Sequence, residues 1–117
     1  MINIDLYTTL QEKINELDTS IKALRQIATD YAKAYKEYRI ALAKELVRLK
    51  EQGIAATLTS DIARGNEEIA ELKFKEITTE AIWKANQESI NAIKLEIRIL
   101  ENQISREYGR GEYDGKI

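Results

Sequence analysis

The sequence predicts an all-α fold, a long antiparallel two-helix coiled-coil hairpin that self-associates into a helical bundle. Three observations support this prediction. The chain of 117 residues has no Pro and only five Gly, so it has few of the residues that usually end helices and strands. Ala, Leu, Ile, Glu and Lys dominate its composition, as they do in long helices. Apolar residues recur with a coiled-coil period through the first part of the chain.

The first helix is predicted from about residue 6 to residue 52. Its apolar positions alternate steps of four and three residues, a period that keeps one stripe facing a partner helix. The positions in this stripe are Leu10, Ile14, Leu17, Ile21, Leu24, Ala28, Tyr31, Tyr35, Tyr38 and Leu42. At Glu45 the register changes to Leu46 and Leu49, and Gly53 follows the expected helix end.

A connection is predicted over residues 53–66, followed by a second helix over about 67–108. Thr59 or Ser60 could cap a short helical turn within the connection, and Gly65 could close that turn. Asn66 is expected to cap the second helix, which opens with acidic residues at the positive end of the helix dipole. Residues 109–117 show no periodicity and are predicted to be a loose tail of this single domain.

The second helix is expected to fold back on the first, with the numbers of facing residues summing to about 118. In this register Tyr35 faces Trp83, and Leu46 faces Leu72. Opposite charges favour the same orientation, because a basic end of helix one faces an acidic start of helix two. The basic residues are Lys33, Lys36, Arg39, Lys44, Arg48 and Lys50, and the acidic ones are Glu67, Glu68, Glu71, Glu76 and Glu80.

The second helix has more apolar surface than one partner helix can cover. Its apolar residues after position 89 point in several directions, and a second face is formed by Phe74, Ile77, Ala81 and Ala85. A helix that is apolar on most of its circumference is buried on most of it. We therefore expect a homo-oligomer, most simply a dimer that forms a four-helix bundle.

The composition excludes most catalytic chemistry. The chain has no His and no Cys, and no glycine-rich phosphate loop can be written from its sequence. We therefore expect a protein that is not an enzyme and uses no metal or cofactor. A net charge of −2 and the lack of a long apolar run argue against direct binding of nucleic acid or membrane, and a cytoplasmic location is expected.

An aromatic and polar stretch in the middle of the chain is the best candidate for a ligand site. Aromatic rings stack on flat ligands, and neighbouring cations attract anions, so this stretch could bind a nucleotide or a similar small anionic ligand. The residues predicted to bind it are Tyr31, Tyr35, Tyr38, Arg39, Trp83, Lys84 and Asn86. The alternative interpretation is that the tyrosines pack a wider part of the bundle and point their hydroxyls at water.

Two other regions are candidates for contacts with partners. The basic stretch from Lys33 to Lys50 could contact phosphates, or it could be a solvated face that forms salt bridges. The connection and the tail offer Arg64, Arg106, Arg110 and Tyr113, because loops and chain ends often make specific contacts. An ordinary turn and an unstructured end are the alternative.

The second half of the chain resembles small, largely uncharacterised coiled-coil proteins of temperate phages and prophages of Gram-positive bacteria. The resemblance lies in Gly53, Thr57-Leu58, Gly65 and residues 69–73, and it continues through residues 90–94, Arg98, Leu100-Glu101, Gln103 and Arg106-Glu107. It implies a viral protein in a bacterial host cell and assigns no catalytic residue. Members of the family often have a Pro in the loop and a Trp near the end of helix two, where this chain has Ala55-Ala56 and Tyr108.

In that setting the expected function is counter-defence. The protein would occupy a host immune protein, or it would sequester a nucleotide signal. The alternatives are an accessory protein of phage DNA replication or recombination, and a purely structural coiled coil.

Overall fold

The structure is a computed structural model that describes the backbone of residues 4 to 115 and the side chains of residues 5 to 109. Three helices occupy the described chain, namely α1 (Ile4–Glu51), α2 (Ala56–Gly65) and α3 (Glu67–Gly115). No strand occurs between residues 4 and 115. The predicted all-α class is therefore confirmed.

The ends of the helices differ from the predicted boundaries at two places. The connection contains a helix of ten residues, α2, where the sequence suggests only a short turn. The backbone of α3 stays helical to Gly115, although a loose tail is predicted from residue 109. No Pro interrupts this segment, and each residue added to an existing helix gains a hydrogen bond. Residues 116 and 117 lie outside the described residues.

Backbone geometry at Gly53 ends α1. Gly53 has a φ of +80°, which favours glycine because it carries no Cβ. Its N–H donates to the Lys50 carbonyl at 3.0 Å, and the Ile54 N–H donates to the Leu49 carbonyl at 3.1 Å. This pair of bonds is the Schellman motif, which satisfies the last carbonyl groups of a helix.

Asn66 begins α3 as the sequence predicts. Its side-chain Oδ1 accepts a hydrogen bond from the Ile69 N–H at 3.2 Å. Its backbone carbonyl accepts one from the Ala70 N–H at 2.8 Å. The predicted cap of the short turn, Thr59, instead lies inside α2, where its hydroxyl donates to the Ala56 carbonyl at 3.0 Å.

The chain divides into two compact units, a central unit of residues 25–84 and a terminal unit of residues 1–24 and 85–117. In the terminal unit Ile90 and Ile93 are buried. Lys13 of α1 pairs with Glu96 of α3 at 2.9 Å, and the Asn86 amide of α3 donates to the Ser20 carbonyl of α1 at 3.4 Å. The two long helices are therefore antiparallel in the terminal unit.

The central unit contains α2 and the adjoining parts of α1 and α3. Its buried residues are Ala34, Tyr38, Leu49, Thr59, Ala63, Ile69 and Glu76. Tyr31 contacts Trp83, and Glu37 contacts Lys75, so the two long helices are antiparallel here as well. The numbers in these pairs sum to 114 and 112, about one turn below the predicted register. The prediction assumed a short connection, whereas the connection contains the ten-residue helix α2.

Many large apolar side chains remain exposed in each unit. In the central unit they are Tyr35, Ile40, Val47, Leu58, Ile62, Phe74, Ile77 and Ile82. In the terminal unit they are Tyr7, Ile14, Ile21, Leu95, Ile99 and Tyr108. Phe74 and Ile77, predicted to form a second apolar face, are 64% and 53% exposed. None of the described helices is both long and apolar enough to cross a bilayer.

Candidate functional site

The predicted aromatic site forms a ring cluster in the central unit. Tyr31 of α1 stacks on Trp83 of α3, with ring centroids 5.6 Å apart and planes inclined by 26°. Tyr35 meets Tyr31 edge to face at a centroid distance of 6.5 Å and is itself half exposed. Stacked and edge-to-face rings are favourable arrangements of aromatic side chains. One face of the indole is therefore covered by a residue of the protein itself.

Charged groups beside this ring cluster are paired with each other. Lys84 Nζ lies 2.8 Å from Glu80 Oε1. The hydrogen bond and charge of the Lys84 ammonium are the main reason why the pKa of Glu80 is lowered. A hydrogen bond from the Tyr31 hydroxyl lowers this pKa further. The same carboxylate raises the pKa of Lys84. Burial, and then the negative charge of Glu80, raise the pKa of Tyr31.

A second cluster lies one turn or more from the stacked rings and contains a buried carboxylate. Glu76 is only 5% exposed, and its Oε2 lies 3.0 Å from Lys73 Nζ. The Lys73 ammonium also lies 4.8 Å from the centre of the Tyr38 ring, a cation–π contact. The hydrogen bond to Glu76 is the first reason why the pKa of Lys73 is raised.

The sequence analysis missed the burial of Glu76 and its pairing with Lys73. Glu76 is predicted to belong to the acidic residues that face the basic end of helix one, whereas it is buried and pairs with Lys73 of its own helix. A signal was present, because Ile69, Glu76, Trp83 and Ile90 recur every seven residues and thus share one face of α3. Lys73 follows from Glu76, since residues three apart on a helix are neighbours.

No described contact joins Asn86 to the ring cluster. Its Nδ2 donates to the Ser20 carbonyl, whereas its Oδ1 is buried and accepts no hydrogen bond from the protein. A buried amide that contacts the opposite helix is known from coiled coils, where it selects one register at a cost in stability. Arg39 is exposed, and no described contact joins it to the aromatic rings.

The predicted pairing of a basic strip on α1 with an acidic strip on α3 is not observed among residues 5 to 109. Glu76 and Glu80 pair with Lys73 and Lys84 of their own helix. The ion pair that does join α1 to α3 in the central unit has the opposite sense, with Glu37 on α1 and Lys75 on α3 at 3.9 Å. Partners three or four residues apart on one helix meet without bringing two helices into register, which favours these local pairs.

The predicted partner-binding arginines occupy different surroundings. Arg64, near the end of α2, lines a groove of about 280 Å³ together with Tyr38, Phe74 and Ile77 of the central unit. The Arg106 guanidinium donates to the Asn102 carbonyl of its own helix at 3.3 Å. Arg110 and Tyr113 lie outside the residues whose side chains the structure describes.

Two further grooves are lined by both polar and apolar side chains. A groove of about 720 Å³ in the central unit lies between residues 41–48 of α1 and residues 66–72, which are Asn66 and the start of α3. In the terminal unit, Asn15, Ser20, Ser89 and Ile93 contribute to a groove of about 570 Å³. Among the described residues no group of three or more acidic side chains is arranged to bind a metal ion. Comparisons with family models, curated proteins and solved structures found no match to this chain.

Proposed function

We propose that this chain is a non-catalytic binding protein of phage type, built on a self-associating coiled-coil hairpin, that occupies a host immune protein in the bacterial cytoplasm. The observation that carries this proposal is the number of large apolar side chains that stay exposed on both units. Contiguous exposed apolar surface is typical of protein contact sites. Blocking a host protein requires such a surface and no chemistry.

The geometry around Trp83 supports protein contacts more than nucleotide sequestration. Tyr31 covers one face of the indole, and Glu80 already pairs with the nearest cation, Lys84. A nucleotide would have to separate the rings and compete with a carboxylate for the ammonium. The exposed Phe74 and Ile77 offer apolar surface without such a cost.

A phage plating assay tests the host-directed role. Bacteria that carry a phage-defence system and express this chain should plate phage more efficiently than bacteria with an empty vector. The double substitution Phe74→Ser and Ile77→Ser should abolish this gain, because it makes the exposed face polar while the buried residues stay intact. The matched control is Thr8→Ser, a conservative change on the exposed part of α1. No gain with any of a broad panel of defence systems would contradict the counter-defence role.

Native mass spectrometry of the chain purified from bacterial cells separates the alternatives. A bare integer multiple of the chain mass is expected. An additional mass of nucleotide size would instead support sequestration of a nucleotide signal. Binding to DNA or to a DNA-processing protein at low salt would support the replication accessory role.

A further inference from the structure

The larger groove of the central unit, here called the central groove, has two walls of different charge. From α1 it is lined by Lys44 and Arg48, together with Glu45. From α3 it is lined by three glutamates and no cation, and these are Glu67, Glu68 and Glu71. Its remaining lining includes the apolar Ala41, Ile69 and Leu72, and none of its lining residues belongs to α2.

Most of the charges on these walls form no ion pair with any other residue that the structure describes. Arg48 pairs with Glu45 of its own helix, and this pair lowers the pKa of Glu45. Within the described residues, no ion pair involves Lys44 or the three glutamates of the α3 wall, and all four side chains are exposed. The groove therefore has unneutralised charge of opposite sign on its two sides.

The composition of the two long helices in the central unit has the same sense, although Glu37 of α1 and Lys75 of α3 form a pair of the opposite sense one turn beyond the groove. Residues 25–51 of α1 contain seven basic and four acidic residues, whereas residues 67–84 of α3 contain three basic and five acidic ones. One helix of the unit is thus net positive and its antiparallel neighbour is net negative. A surface with one positive side and one negative side is complementary to itself under a suitable rotation.

We infer that the central groove is the surface on which a second copy of this chain docks, with a two-fold axis parallel to the helices. This axis places α1 of each copy on α3 of the other, so Lys44 and Arg48 face the partner copy's acidic wall. Neighbouring helices of the two copies are then antiparallel, as in up-and-down four-helix bundles. An axis across the helices would place α1 on α1 and α3 on α3, which brings like charges together.

The inference rests on the proposed self-association and specifies its surface and symmetry. The apolar floor of Ala41 and Leu72 supplies area that a second copy would remove from water. The charged walls select the orientation, as the flanking charges of coiled coils do.

Charge reversal of each wall tests the inference on the full chain. One variant carries Lys44→Glu and Arg48→Glu, and the other carries Glu68→Lys and Glu71→Lys. Each variant alone should dissociate to monomers at concentrations where the wild type is dimeric, with a Kd weaker by about 100-fold or more. An equimolar mixture of the two should form a heterodimer, which native mass spectrometry distinguishes from either homodimer.

The matched control is Lys94→Glu with Arg98→Glu, the same reversal at the same spacing on exposed positions of the terminal unit. It should remain dimeric, and circular dichroism should show unchanged helix content for every variant. A monomeric wild type would overturn the self-association itself. A wild-type dimer that persists in both wall variants would overturn the central groove as the docking surface and leave self-association standing. Monomeric variants that fail to pair when mixed would overturn the charge-matched orientation.

Discussion

Single aromatic side chains of the central unit differ in how much they are enclosed. Trp83 is half-buried and stacked on Tyr31, whereas Tyr35 meets the cluster only by its edge and is 46% exposed. A stacked ring that contacts another helix contributes area and a preferred geometry to the fold. The two residues therefore offer a direct comparison of packing with surface exposure.

Trp83→Ala should lower the free energy of unfolding by about 2–4 kcal/mol, because it removes the stacked contact and leaves a cavity. Tyr35→Ala should lower it by less than about 1 kcal/mol, since its ring is largely in water. Urea unfolding followed by circular dichroism measures both. Equal losses for the two variants would contradict the arrangement of the ring cluster.

The Asn86 amide leaves one buried oxygen without a protein donor. Asn86→Leu should raise the free energy of unfolding by about 1–2 kcal/mol, because it removes the unsatisfied oxygen and adds apolar packing. The Ser20 carbonyl lies inside α1, where the helix backbone supplies its own donor, so it loses only an additional hydrogen bond from Asn86. Thermal unfolding checks the sign, and a lower Tm would show that the amide is needed for stability as well as for register.

Stability should depend on pH through three neighbouring side chains, Tyr31, Glu80 and Lys84. The folded pKa of Glu80 is below its ordinary value, so its contribution to stability is present above that value and is lost as the pH falls through the folded pKa. The pKa values of Lys84 and Tyr31 are raised, so their contributions are present at neutral pH and are lost as the pH rises through the folded values.

Stability should therefore decline at both extremes, and Glu80→Gln should flatten the acid side of the profile. Unfolding in urea from pH 3 to pH 11 measures both limbs. The matched control is Glu88→Gln, an exposed carboxylate of α3 outside these contacts. An acid limb that is equally steep in wild type and Glu80→Gln would assign the acid response to other carboxylates.

At the level of the helices, two glycines at helix ends have different roles. Gly53 ends α1 with a positive φ, whereas Gly65 lies at the end of α2 without one. An added Cβ meets no atom within 4 Å at either position, so sterics with other residues do not distinguish them. The difference lies in the backbone conformation alone.

Gly53→Ala should destabilise the protein by about 1 kcal/mol, because a side chain disfavours the left-handed conformation. Gly65→Ala should stabilise it by about 0.5–1 kcal/mol, because it restricts the unfolded chain and suits a helix. Thermal unfolding of both variants gives the two signs. The same sign at both positions would contradict the assigned end of α1.

At the level of the whole molecule, the proposed self-association would make stability depend on protein concentration. If the folded chain is a dimer, its Tm should rise by about a few degrees for each tenfold increase in protein concentration, because mass action favours the associated state. Differential scanning calorimetry over two decades of concentration measures this effect. A Tm that stays constant would indicate a folded monomer with its apolar faces free for another protein.

Local patterns along the chain are sufficient to predict most of the two long helices, α1 and α3. The seam of α1 from Leu10 to Leu42, the Gly53 stop and the Asn66 cap all act through neighbours within one or two turns, so they can be read from residue order. The second apolar face of α3 follows from the same periodicity. The sequence analysis places Tyr31 and Trp83 in one cluster but pairs Trp83 with Tyr35. The observed partner of Trp83 is Tyr31, one turn earlier in α1.

Contacts between helices decide the rest, because they depend on register, which residue order alone leaves open by a turn. In the central unit Tyr31 meets Trp83 and Glu37 meets Lys75, and in this packing Glu76 is buried whereas the glutamates at the start of α3 stay exposed. Each charged side chain can pair with a partner on its own helix or on the other helix. Lys84 pairs with Glu80 of its own helix. The two long helices and the charges they carry thus follow from residue order, whereas the groove between them arises only when the two helices are packed at one register.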